Sequence, residues 1–249
     1  MDNCFAKENA VAMLKPKFKL PQCEQCDNRN HSIFCVLEEA EVSEVSLNKG
    51  ASQYKKGERI FLEGNRPQSL FCINSGKVKV YKSGGAGKEQ ITRLAGPGDV
   101  IGYRAMISGE NYSASAAALE DAVICEIPKP VFSDILKRSP ELAMKLVNLL
   151  ARDLRTAEQQ MTALAQKPVR ERLAEVLLSI KEAFGLEADG KTLAVTLSRE
   201  DLGNMVGTAT ETLIRLLGEL KLEKLIGLEG KKILLLNIPK LVQTANVFD

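Results

Sequence analysis

The tightest constraint on this chain lies near its C-terminal end, in residues 195–237, VTLSREDLGNMVGTATETLIRLLGELKLEKLIGLEGKKILLLN. Ser198 followed by Asp201 is a helix-start pattern, because the hydroxyl can accept from the free N–H groups of a first turn. The helix REDLGNMV is short, and Gly207 supplies the left-handed residue that ends it. A second helix, TATETLIRLLGELKLEKL, begins three or four residues later. LIGLEGKKILLLN reads as two strands joined by a glycine turn, and VTL in front reads as a short strand. Short helix, tight turn, second helix and hairpin, in that order, is the spacing of a winged helix-turn-helix. A generic three-helix bundle with a hairpin is the plain alternative.

If Leu213, Leu216, Leu217 and Leu220 face the core, then Thr210, Glu211, Ile214 and Arg215 face outward at the N-terminal end of the second helix. Glu211 and Arg215 stand one turn apart on a shared face. A carboxylate accepts from cytosine N4 and an arginine fork donates to guanine O6 and N7, so the pair suits one G·C pair of double-stranded DNA. The competing use of the same two side chains is an i,i+4 surface ion pair.

Upstream, Ala143, Val147, Leu150, Leu154, Ala157, Met161 and Leu164 recur at steps of four and three, with no Gly or Pro between them. That is a heptad seam, expected to zip a homodimer, although a helix packed on its own domain has the same stripe. Pro168 suits the first turn of a new helix and disrupts the interior of an old one, so a break is expected at Lys167–Pro168. The next helix should bury Val169, Leu173, Val176, Leu177, Ile180 and Phe184 and end at Gly185.

Residues 45–130 have another character. Glycines punctuate short β-type runs (ERIFLEG, SLFCINSG, KVKVYKSG, QITRLAG, AVICEIP), and KVKVY alternates with the period of a half-buried strand. Such a series reads as a β-barrel or jelly roll. Residues 1–44 look irregular. The resulting division is an N-terminal cysteine-containing region (1–44), a β-roll (45–139), a dimerisation helix (140–167) and the winged helix-turn-helix (168–249), an α+β fold.

The net charge of +2 argues neither for nor against nucleic acid. The N-terminus lacks the apolar core of a signal peptide, and no apolar run approaches the ~18 residues of a membrane span, so a cytoplasmic protein without membrane contact is expected. With a single histidine and no P-loop or dinucleotide fingerprint, an enzyme is not indicated. Six cysteines in that compartment suit metal ligands or plain thiols better than disulfides. Three of them, and the histidine, fall in CEQCDNRNHSIFC, residues 23–35.

In KKGERIFLEGNRPQSLFCINSGKVKVY, GPGDVIGYRAMISGENYSASAAALEDAVICEIP and LGNMVGTATETLIRLLGELKLEKLI, the chain resembles the CRP/FNR family of bacterial transcription regulators. The resemblance implies a cyclic-nucleotide-binding-type β-roll, a long dimer helix, base readout at Glu211 and Arg215, a palindromic operator, and RNA polymerase as a partner. Thr210 and Ile214 fit neither the cyclic-AMP nor the FNR subgroup code. For the signal, the FNR-type branch implies a [4Fe–4S] cluster, with Cys23, Cys26, Cys35 and the distant Cys125 as the matching thiolates. The gap between Cys26 and Cys35 is longer than in the best-known members. Cys4 and Cys72 fall outside this set, Cys72 reading as a core thiol of a strand. A structural zinc site from Cys23, Cys26 and Cys35 with His31 or Cys125, or no metal at all, remain as alternatives. The cyclic-AMP branch fits poorly. Ser113 matches, but Tyr112 stands where the phosphate-binding arginine belongs, and Arg104 is at an unmatched position.

Overall fold

The computed structural model describes residues 20–246; Cys4 lies outside them. Eight strands build the roll: β1 (Gly50–Tyr54), β2 (Arg59–Phe61), β3 (Ser69–Ser75), β4 (Val78–Ser83), β5 (Glu89–Ala95), β6 (Val100–Ile101), β7 (Ser115–Ala118) and β8 (Ala122–Pro128). They form two antiparallel sheets, ordered β1-β8-β3-β6 and β2-β7-β4-β5. The alternation in the sequence sets the faces. Phe71, Ile73, Ile101 and Ile124 from one sheet meet Val78, Val80, Ala116 and Ala118 from the other inside the roll. Leu70, Val100 and Ile127 point to the opposite face of the first sheet, where a second apolar cluster forms.

That second cluster is closed by the N-terminal segment and by helices. Two 3-10 turns, Asp27–His31 and Ile33–Val36, lead into α1 (Glu39–Asn48). A helix therefore stands where an irregular segment was expected, and it crosses residue 44. Its Glu41 carboxylate accepts from the Glu38 N–H at 3.1 Å, and only Val42 and Val45 are buried. After the short α2 (Tyr103–Ser108) and β8, α3 (Lys129–Arg138) leads into α4 (Pro140–Gln166). At 27 residues α4 is about 40 Å long. Leu142 and Leu146 of α4 pack in the same cluster as Ile33, Phe34, Val42 and Val45.

The α4 helix ends at Gln166, and Pro168 caps the start of α5 (Val169–Phe184), which Gly185 terminates, as expected. Leu173, Leu177 and Ile180 are buried, whereas Val169, Val176 and Phe184 are only half-buried. Then come α6 (Arg199–Val206), α7 (Thr210–Leu222), the hairpin β9 (Ile226–Glu229) and β10 (Lys232–Leu235), and α8 (Ile238–Ala245). VTL does not form a strand. Val195 and Leu197 are buried in the C-terminal core but have no ladder partner, and the bridges fall just before them, at Thr192 and Leu193.

Candidate functional site

The helix-turn-helix is held by local chemistry legible in the sequence. Ser198 Oγ accepts from the Asp201 N–H at 2.9 Å, and Gly207 ends α6 with φ of 72°. A Cβ at Gly207 would stand 2.7 Å from Leu164 Cδ2, so the turn leans directly on the end of α4. Arg172 reinforces the joint. Its guanidinium donates to the carbonyls of Val206 (3.0 Å), Gly207 (3.2 Å) and Lys167 (2.9 Å), tying the α4–α5 hinge to the turn. Lys79 of β4 bridges the roll to α6 through Asp201 at 2.7 Å, and also meets Glu89 at 2.6 Å. Neither Arg172 nor Lys79 carries a sequence signal beyond its charge.

On α7, Leu213, Leu216, Leu217 and Leu220 are buried, and Glu211, Ile214 and Arg215 are exposed, with Thr210 half-buried. The ion pair on this face is not Glu211–Arg215. Arg215 instead meets Glu219, one turn further on, at 2.5 Å. An exposed pair of this kind contributes at most about 1 kcal/mol, little enough for the guanidinium to leave it for a better partner.

The seam residues of α4 divide. Leu154 is 61% exposed and Met161 67%, and Val147 and Ala157 also protrude. Leu150 is half-buried against the cluster outside the roll, Ala143 is half-buried, and Leu164 leans on Gly207. Leu142, Leu146 and Ala163, off the seam, are the residues α4 buries within its own chain.

The cysteines converge on one cavity between the N-terminal segment and the outer face of sheet β1-β8-β3-β6. Cys23, Cys26 and Cys125 line it, together with Cys72, Lys49 and Arg29. Cys35 and His31 do not line it; both are exposed. Lys49 is 6% exposed; its ammonium donates to the Pro21 carbonyl and toward Cys125 Sγ at 3.4 Å. Asn74 donates toward Cys26 Sγ at 3.7 Å. The segment is anchored by Cys23 N–H donating to Ser46 Oγ (3.1 Å) and Asn28 donating to the Asn74 carbonyl (2.7 Å). Burial pushes the thiols of Cys23, Cys72 and Cys125 up, which favours their neutral form. Binding a metal centre there must displace their protons. Among the described residues no group of three or more His, Cys, Asp or Glu side chains is arranged to hold a metal ion. The cavity's cysteines, Cys23, Cys26, Cys72 and Cys125, supply four sulfurs and would suit a cluster, which thiolates hold.

A second cavity lies inside the roll, among Phe61, Arg93, Tyr103, Tyr112 and Asp153. Tyr112 stacks on Phe61 with ring centroids 4.2 Å apart, and its hydroxyl donates to the Ser69 carbonyl at 3.1 Å. Burial pushes that hydroxyl up to about 12. Arg93 lies 3.6 Å from Asp99 and 3.5 Å from Asp153 of α4, and Tyr103 also hydrogen-bonds to Asp153. Arg104 is exposed.

A β-roll, a long helix with an exposed apolar strip and a winged helix-turn-helix together define a DNA-binding regulator. Residues 51–139 match the cyclic nucleotide-binding domain, and residues 171–244 match the Crp-like helix-turn-helix domain. The chain is 30% identical over 227 residues to the fumarate and nitrate reduction regulatory protein of Vibrio cholerae, covering 90% of each. It is 31% identical over 217 residues to electron transport regulator A of Shewanella oneidensis, covering 86% of each. The structure of FixK2 from Bradyrhizobium japonicum superposes with a TM-score of 0.73 at 27% identity, over 81% of this chain and 99% of that one. The chain belongs to the CRP/FNR family of transcription regulators, which are DNA-binding proteins and not enzymes. Among the described residues no helix is long and apolar enough to cross a membrane.

Proposed function

We propose that this regulator acts as a cytoplasmic homodimer on a two-fold-symmetric operator, and that it couples DNA binding to oxygen or redox state through a [4Fe–4S] cluster held in the cysteine-lined cavity. The observation that carries the sensory reading is the cavity's make-up: Cys23, Cys26 and Cys125 face one space with two cations, Lys49 and Arg29, and, among the described residues, no carboxylate. An iron–sulfur core bound by thiolates is a net anion, and this lining is built to receive one. The relatives named for fumarate and nitrate reduction and for electron transport point the same way. Bound there, a cluster would supply iron–sulfur bonds that oxygen destroys.

The chain's own residues connect that cavity to the dimer helix. Cys23 packs in the same apolar cluster as Phe34, Leu142 and Leu146, so the packing of the N-terminal segment and the setting of α4 are mechanically joined. Buried clusters of this kind transmit shifts because they repack in discrete arrangements. Support for the dimer is the strip of Val147, Leu154 and Met161, an apolar face left exposed by the described residues. Each α7 would then enter a major groove with Thr210, Glu211, Ile214 and Arg215, on half-sites about 34 Å apart, and bound protein would meet RNA polymerase. Against a cyclic nucleotide stands the cavity inside the roll, where Tyr112 fills the arginine position and Arg93 is already paired with two carboxylates.

DNA binding and sedimentation test this reading together. Arg215→Ala is expected to weaken specific binding by about 1–3 kcal/mol and to relax preference at one G·C pair. Leu154→Asp is expected to sediment as a monomer and to lose operator binding. An Arg215→Ala protein that discriminates as well as its parent would refute the readout assignment. A dimeric Leu154→Asp protein would refute the seam.

A further inference from the structure

We infer that the fourth sulfur of the cysteine cavity is Cys72 of β3, and that Cys35 is not a ligand; this assignment rests on the cluster reading above. The sheet itself places Cys72. β3 pairs antiparallel with β8, and Cys72 stands directly opposite Cys125. Side chains opposed in this way leave the same face of the sheet as close neighbours. Once Cys125 points into the cavity, Cys72 must too, and both line it. Asn74, two residues along β3 on that face, reaches Cys26 Sγ at 3.7 Å, so the Cys23–Cys26 turn lies over β3 as well as β8. Two sulfurs from the rigid sheet thus face two from the N-terminal turn.

Cys35 is placed the other way. It sits on the 3-10 turn Ile33–Val36, whose buried residues are Ile33 and Phe34. Those two side chains hold the turn against the apolar cluster that includes Leu142 and Leu146, and Cys35 faces solvent. Bringing its sulfur to the cavity would mean rotating the turn and giving up that burial. Charge agrees with four thiolates: Lys49, without a carboxylate partner among the described residues, points its ammonium at Cys125 from the cavity wall.

The full-length protein, loaded anaerobically with ferrous iron and sulfide, provides the test. Wild type and Cys35→Ser should both take up about four irons per chain and turn brown. Cys72→Ser should lose the colour and most of the iron, with circular dichroism showing that it is folded. A second measurement needs no variant: iodoacetamide should alkylate Cys35 equally fast in loaded and cluster-free wild type. Loss of colour in Cys35→Ser, protection of Cys35 on loading, or wild-type loading by Cys72→Ser would each overturn the assignment while leaving the cluster reading standing. Wild-type protein that takes up no iron would overturn the cluster reading, and the assignment with it.

Discussion

The roll has one cavity inside and another against the outer face of sheet β1-β8-β3-β6, and the two are built on opposite principles. Inside, the central polar groups are paired: Arg93 meets Asp99 and Asp153, the Tyr112 hydroxyl meets a carbonyl, and aromatic rings stack beside them. Outside, four thiols and two cations share a space in which, among the described residues, there is no carboxylate. Strand β3 serves both, sending Phe71 and Ile73 inward and Leu70, Cys72 and Asn74 outward. A fold that matches a cyclic nucleotide-binding domain therefore keeps the roll while its unmatched chemistry lies on the other side of one sheet. Paired polar groups and packed rings hold a structure together; thiols gathered beside cations form a lining suited to an anionic ligand.

If that contrast is right, variants inside should cost stability and leave iron alone. Phe61→Ala removes a half-buried ring stacked on Phe71 and Tyr112, and is expected to destabilise the protein by about 2–4 kcal/mol in denaturant titration. Its iron uptake should equal that of wild type; a Phe61→Ala protein that folds yet fails to load would erase the distinction between the cavities. Outside, Lys49→Met should show a smaller, state-dependent effect. In cluster-free protein, removing a buried ammonium with no carboxylate partner among the described residues is expected to be neutral or mildly stabilising. In loaded protein it removes a charge-assisted contact and should cost about 1.5–3 kcal/mol. Equal losses in both states would make Lys49 a strut for the Pro21 carbonyl and nothing more.

Much of the C-terminal half was legible because its signals are local. Ser198, Gly207, Pro168 and Gly185 act on the few residues beside them, and the exposed Leu154 and Met161 follow from helical periodicity alone. The pairing of Arg215 with Glu219 was less legible, since a helix offers an arginine acidic partners in both directions. The cysteine site was half legible. Cys23 and Cys26 are neighbours in sequence, but Cys72 joins Cys125 only through a pairing between strands fifty residues apart, which no local pattern encodes. Cys35 looked equivalent to its neighbours in the linear chain, and the burial of Ile33 and Phe34 turned it outward. Helix α1 was missed because only Val42 and Val45 are buried along it, too few to mark a period.

The outer cavity, in the function proposed, is a receptor for an oxygen-sensitive centre. Protein purified without oxygen, analysed for iron, sulfide and zinc, and then titrated with operator DNA before and after exposure to air, tests it most directly. Brown protein with about four irons per chain, and operator affinity that changes on exposure, is the expected result. Colourless protein holding a single zinc or no metal, and binding the operator equally in both conditions, would contradict it.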